Sequence, residues 1–382
     1  MKRTELIETF ESALINPADQ VRQWKTEQNS GAIGFLMSDV PEELIHAAGL
    51  FPYGIINGKA ELEKADTHLQ AWVCSHARNS LALALGGNLD FLDGLIVPQT
   101  CDTTRMLLDL WKHVRPLAYM EDFRLPRQVD RPSVGKYIIG ELERIKYRLE
   151  QYIGRSIKPE DLKHSITLYN HNRKLMRRLV DLHAQNPVLI SNRELYTIIN
   201  AAMIMPREKV NELLVKIVST LEDDLNATEV DKEHVRILLS GTLLEPMDIL
   251  DYIEEFGGAV VGDDFQNGYR YIEADVATRG SLIEALADRQ LNRIPSAAFD
   301  PAHNPRRFFL ANLANEKKVQ GAIFLHLKFC EPENFDSYDN LQAMQNAGIP
   351  AMRLETQFGR SGLGQLRTRV HAFMEMVGGE NV

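Results

Sequence analysis

Three cysteines, Cys74, Cys101 and Cys330, are the residues of this chain best suited to soft-metal or redox chemistry. Each follows a short apolar run: Ala71-Trp72-Val73, Gly94-Leu-Ile-Val97, and the stretch from Gly321 to Phe329. Cys74 and Cys101 also stand immediately before helical periodicity. Such turns are where open parallel sheets bind ligands, and the positive end of a helix favours a thiolate there. A small, odd cysteine count is not a disulfide framework, and no Cys-x-x-Cys pair occurs. Spacing alone reads as three scattered buried thiols. The shared placement points instead to convergence in a cleft between two sheets. Three thiolates without an obvious fourth ligand suit a catalytic metal with one open position, or an iron–sulfur cluster with one uncapped iron.

Other side chains are weaker candidates. Ser38 and Asp39, at the end of the first strand, either face the cleft or cap the next helix. His76 and Arg105, a helical turn or less past a cysteine, could donate hydrogen bonds to cluster sulfurs, or simply pack or face solvent. Gly359-Arg-Ser-Gly-Leu-Gly364 is a phosphate cradle or a flexible turn, and Lys328, Arg360 and Arg367 are candidates for positive charge beside it. Asp263-Asp264 reads as part of a polar loop rather than a general-base pair. The basic residues within Asn172-Arg-Lys-Leu-Met-Arg-Arg178 read as a solvated helix face.

Strands alternate with helices from Ala32 to Met120, which predicts parallel βαβ units. Within that stretch a strand over Gly94–Val97 leads to a helix capped by Asp102 or Thr103. From about Gly135 to Leu225 the strands stop, and helices are predicted over 137–152, 159–185, 192–203 and 206–225. Alternation returns at Val235, with strands near 236–240, 259–261, 321–329 and 350–354 and helices over 246–256, 338–346 and 365–376. The expected organisation is therefore an N-terminal α/β domain over 1–132 carrying Cys74 and Cys101, a helical block over 133–232, and a C-terminal α/β domain over 233–382 carrying Cys330.

Composition narrows the function. The chain has 382 residues, 44% apolar and 25% charged, with a formal net charge of −10. Such an acidic balance argues against a nucleic-acid surface. No run approaches about 18 apolar residues and the N-terminus lacks a signal-like core, so a cytoplasmic, non-membrane protein is expected.

Five segments carry a resemblance. Ser38-Asp-Val-Pro-Glu-Glu-Leu-Ile-His-Ala-Ala-Gly-Leu-Phe-Pro52 resembles the N-terminal signature of the benzoyl-CoA reductase / 2-hydroxyacyl-CoA dehydratase family. Asp93-Gly-Leu-Ile-Val-Pro-Gln-Thr-Cys-Asp-Thr103 is similar to its second cysteine segment, and Lys328-Phe-Cys-Glu-Pro332 to its third. Gly348-Ile-Pro-Ala-Met-Arg-Leu-Glu-Thr356 and Gly364-Gln-Leu-Arg-Thr-Arg-Val-His-Ala-Phe373 resemble its C-terminal pattern. The resemblance implies that Cys74, Cys101 and Cys330 are the three protein ligands of a [4Fe–4S] cluster. It also implies a larger paralogous cluster-bearing subunit as heterodimer partner, an ATP-hydrolysing iron–sulfur activator, ferredoxin as donor and an acyl-CoA substrate. No phosphate-loop glycine motif occurs here, so ATP is expected to bind elsewhere.

Within the family the sequence looks most like the small C-type subunit of the ATP-dependent reductase, which reduces the ring of benzoyl-CoA to a cyclic dienoyl-CoA. A 2-hydroxyacyl-CoA dehydratase subunit acting by a ketyl radical is the alternative, and a non-catalytic maturation or scaffold protein the second. The implied architecture is α/β, with two Rossmann-like parallel-sheet domains, a helical block between them and an iron–sulfur site in the cleft.

Overall fold

The computed structural model describes residues 3–56, 58, 60–227, 234–294, 296, 297, 299, 303–359 and 362–379. Eight strands form two four-stranded sheets. The first holds β1 (Ala32–Phe35), β2 (Phe51–Gly54), β3 (Gly94–Gln99) and β4 (Tyr119–Arg124) in the order β2-β1-β3-β4. The second holds β5 (Val235–Gly241), β6 (Gly258–Asp263), β7 (Gly321–Leu327) and β8 (Ala351–Thr356) in the order β6-β5-β7-β8. Every pairing is parallel. The two halves thus repeat one plan, which no sequence repeat announces. In each sheet the strand order reverses between the first and third strands, at β1/β3 and at β5/β7. The crevice beyond the C-terminal ends of such a pair is where open α/β sheets take ligands.

The strands read as continuous apolar runs because both faces are covered: all four residues of β1 and all seven of β7 are buried. At the end of β5, Gly241 presses against the backbone carbonyl of Leu325 on β7, and a β-carbon there would collide with it. Its lack of a side chain lets the two central strands close up beside the crevice.

The strandless block contains Val134–Ile153, Pro159–Gln185, Asn192–Ala202 and Arg207–Ala227, close to the helices expected. It is tied to the first half by two buried ion pairs, Arg173–Glu43 at 2.7 Å and Arg207–Glu42 at 2.8 Å. Arg173 is 5% exposed, so the basic run is not simply a solvated face. Its position opposite Glu43, 130 residues away, is set by tertiary packing that a helical wheel cannot show. One continuous apolar core runs through both sheets and the block, and a smaller one lies under helices Pro305–Glu316 and Glu331–Asn346. No described helix is long and apolar enough to cross a membrane.

Candidate functional site

Each cysteine is the N-cap of a helix: Cys74 of Ser75–Leu85, Cys101 of Asp102–Val114 and Cys330 of Glu331–Asn346. The cap expected at Asp102 or Thr103 is therefore one or two residues earlier, on the thiol itself. Cys101 Sγ accepts the Thr104 amide at 3.4 Å, and Thr104 Oγ1 accepts the Cys101 amide at 3.2 Å. This is a capping box in which sulfur replaces the usual oxygen. Cys330 is presented by a tight turn in which its amide bonds Leu327 O at 2.9 Å and Phe329 is forced to φ 64°. Met37, just past β1, adopts φ 63°. Positive φ is costly for bulky side chains, and both of these flank the same crevice.

All three cysteines line one cavity of about 50 Å³. Leu36 and Met37 enter it from β1, Cys101 from β3, Thr242 from β5, Gln266 from the loop after β6, and Leu327 with Cys330 from β7. The crevices of the two sheets therefore face each other and make one chamber. Ala77, Leu107 and Pro332 complete a mostly apolar wall. Burial pushes the Cys74 thiol up to about 11, with Cys101 adding to the rise and the Ala77 and His76 amides opposing it. Burial also raises the Cys330 thiol strongly. Glu333 and Cys74 reinforce that shift, while the Glu333 amide and the Thr242 hydroxyl oppose it. Thr242 Oγ1 lies 3.8 Å from Cys330 Sγ and donates to Glu333 Oε1 at 2.9 Å.

His76 also lines the chamber and is 3% exposed. Neither of its ring nitrogens has a hydrogen-bond partner among the described residues. Burial lowers it to about 4, so the ring is neutral near pH 7. Leaving a buried polar group unpaired costs about 1–3 kcal/mol. One side of the ring rests on Phe358 at 5.6 Å between centroids, and the Phe358 amide donates to Ser75 Oγ at 3.0 Å.

Ser38 and Asp39 do not cap a helix; Pro41 is the N-cap of Glu42–Ala47. Instead they bind the second half across the chamber wall. The Ser38 amide donates to Gln266 Oε1 at 3.1 Å, and the Ser38 hydroxyl donates to the same oxygen. Gln266 Nε2 donates to Asp39 at 2.9 Å. Arg293 donates to Ser38 O at 2.6 Å and to Ser38 Oγ at 3.0 Å. Asp263 and Asp264 are not a solvated loop either. Asp263 accepts from Tyr196 at 2.7 Å and from the Phe265 and Tyr269 amides, and Asp264 pairs with Arg306 at 2.6 Å.

The cationic candidates lie elsewhere. Arg105 is on the exposed face of its helix. Lys328 extends over the Phe329 ring, 5.4 Å from its centroid, with Glu355 at 3.9 Å. Arg367 pairs with Glu255 and covers Phe256 on a distant helix. None of the three is among the residues lining the chamber. Arg360 lies outside the described residues. Met37, Thr104, Thr242 and Gln266 are chamber residues that sequence reasoning missed. Only Thr104 had a local signal, three residues past a capping position.

Two parallel sheets of one plan, with a thiol-lined chamber between them, define an α/β protein of two like halves with its candidate site between the halves. The sequence profile of the 2-hydroxyglutaryl-CoA dehydratase D-component family matches residues 37–377, and the chain belongs to that family. It is 28% identical to the beta subunit of lactoyl-CoA dehydratase from Anaerotignum propionicum over 99% of this chain and 100% of the relative. It is 29% identical to a subunit of the benzoyl-CoA reductase of Thauera aromatica, over 81% and 82%. It is also 29% identical to the beta subunit of (R)-2-hydroxyglutaryl-CoA dehydratase from Acidaminococcus fermentans, over 98% and 100%.

The donor set can be tested against the iron–sulfur cluster that the resemblance implied. Among the described residues, no three His, Cys, Asp or Glu side chains stand close enough to grip a single metal ion. A cubane takes each thiolate at a different iron, so its ligands stand further apart than those of one ion. Three soft sulfur donors lining one mostly apolar chamber, with an unpartnered imidazole in its wall, are the donor chemistry such a cluster takes.

Proposed function

We propose that this chain is the small subunit of a CoA-thioester-processing enzyme of this family, and that Cys74, Cys101 and Cys330 hold a [4Fe–4S] cluster. The observation that carries the reading is the arrival of three N-cap cysteines, from both halves of the chain, in one apolar chamber. When bound, the cluster supplies a one-electron couple of low potential. The protein's part is to seat it, keep water out and set its electrostatic surroundings. Leu36, Met37, Ala77, Leu107 and Leu327 exclude solvent. Three helix N-termini aim amide dipoles at the thiolates. The Ser38–Gln266–Asp39 bridge holds the two walls at fixed separation.

The described chamber lining includes no lysine or arginine. CoA phosphates need such charge, which supports a relay of electrons rather than acyl-CoA binding in this subunit. The substrate then sits against a paralogous larger subunit, and an ATP-hydrolysing activator fed by ferredoxin delivers the electrons, in the cytoplasm. Dehydration of a 2-hydroxyacyl-CoA is the favoured reaction, because the relatives aligned over nearly their whole length include dehydratase beta subunits. Ring reduction of benzoyl-CoA is the second reading, supported by the likeness to one subunit of a benzoyl-CoA reductase.

Anaerobic co-purification with the larger subunit, itself cluster-bearing on this reading, should give about eight iron and eight sulfide per heterodimer, about four of each on this chain. Cys74→Ala, Cys101→Ala and Cys330→Ala should each lose most of this chain's share, roughly half of the total. Incubation with activator, reductant and either 2-hydroxyacyl-CoA or benzoyl-CoA distinguishes the reactions by product. Full turnover by iron-free protein, or by the three alanine variants, would leave only a scaffold role.

A further inference from the structure

We propose that His76 is a positioning residue that donates a ring N–H to a sulfur of the inorganic centre and thereby sets its reduction potential. The inference rests on the reading that the chamber holds a cluster. It assigns the one imidazole among the described chamber-lining residues a specific task.

The ring cannot avoid having a donor to place. In either charge state an imidazole carries at least one N–H. His76 is 3% exposed, both its nitrogens lack partners among the described residues, and it lines the same cavity as the three cysteines. Its backbone is fixed in the first turn of the helix that Cys74 caps, and Phe358 covers one side of the ring. Freedom to turn toward a different acceptor is therefore small. Sulfur is the acceptor chemistry that three converging cysteines bring to this space. A hydrogen bond to cluster sulfur favours the more negative, reduced state and raises the potential. The backbone amides of the three helix ends act in the same direction, but they belong to the fold and cannot be tuned by substitution. Thr104 and Thr242 place hydroxyls 3.7 and 3.8 Å from Cys101 Sγ and Cys330 Sγ, but both have oxygen partners as well, whereas the His76 ring has none among the described residues.

The test uses the anaerobically purified complex. His76→Phe keeps the ring shape and removes the donor, whereas His76→Gln restores an N–H of similar reach. The expected result is an unchanged iron content of about four per chain. The reduced form of the His76→Phe centre should be disfavoured about tenfold, a fall of about 59 mV for a one-electron couple. His76→Gln should recover most of that shift. Iron at the wild-type level with an unmoved potential overturns the inference while leaving the cluster reading intact. An iron-free wild-type complex overturns the cluster reading and this inference with it. If His76→Phe cannot retain iron, pulsed electron–nuclear spectroscopy of reduced wild-type protein carrying ¹⁵N-histidine decides the question. A histidine nitrogen coupled to the cluster spin upholds the assignment, and its absence refutes it.

Discussion

Replacing Arg306 with methionine should unfold this protein more readily than any single change at the chamber surface. The guanidinium is 1% exposed. It donates to Asp264 at 2.6 Å, to Glu333 at 2.9 Å and to Ser240 Oγ at 3.1 Å. Asp336 lies at 3.9 Å. Methionine fills the stem but leaves those carboxylates without their cation. Asp264 would keep the Gly241 amide at 3.0 Å and Arg270 at 3.5 Å, while Glu333 would keep the Thr242 hydroxyl. Removing one partner of a buried ion pair costs about 3–5 kcal/mol. Two stranded carboxylates push toward the upper end of that range, and the surviving Arg270 pulls back, which places Arg306→Met near about 4 kcal/mol.

The penalty has a pH signature. Burial alone would raise the Asp264 carboxyl, but Arg306 and Arg270 hold it below its usual range. Its stabilising contribution is therefore present above the unfolded carboxylate range and fades as pH falls through the lowered folded value. The wild-type to variant gap should accordingly narrow toward acid pH. Urea titrations followed by circular dichroism and tryptophan fluorescence, at neutral pH and at about pH 3, measure both effects. A neutral-pH loss below about 1 kcal/mol, or a gap that widens in acid, refutes the assignment of Arg306 as the charge that neutralises this buried cluster.

Other outcomes follow from the same geometry. Burial raises the Asp263 carboxyl to about 6, so the folded state holds a proton that the unfolded state has released, and stability should fall as pH rises from about 4 to 6. Asp263→Asn, whose amide can donate to Tyr196 while its oxygen accepts the two amides, should flatten that slope in acid-range urea titrations. Gly241→Ala should cost roughly 1–3 kcal/mol by forcing β5 away from Leu325 on β7, read as a lowered denaturation midpoint. Gln266→Leu should cost about 1–3 kcal/mol, because it removes the acceptor of the Ser38 amide and hydroxyl and one donor to Asp39 in a buried wall, while Arg293 keeps its hold on both; no loss would show that the bridge carries no weight.

Local pattern revealed the alternation of strands and helices, the strandless block and two of the three thiols at helix starts, because each depends on residues a few positions apart; it placed the helix after Cys330 only from Tyr338, although that helix begins at Glu331. It did not reveal the strand order, which depends on packing between distant segments. The helices Leu282–Asn292 and Pro305–Glu316 also escaped, since their apolar residues lie scattered among arginines and asparagines. Those arginines explain much of the remainder. Arg173, Arg293 and Arg306 look solvated in a sequence, and each is buried against an acidic or polar partner on a remote element. Ser38 and Gln266 are 228 residues apart, and nothing near either one announces the other. Arg105 and Arg367 attracted attention through proximity or charge alone, and their helices turn them outward.

The split of sulfur donors between the halves bears on how this protein matures. A ribosome delivers Cys74 and Cys101 early, but Cys330 emerges only after most of the polypeptide has been made. Until β7 docks beside β5, the nascent N-terminal half presents two thiols on an unroofed surface, exposed to oxygen and stray metal. On the reading proposed above, a cluster can be seated only once Cys330 has emerged and β7 has docked, so a folding defect in either half would register as the same loss of iron.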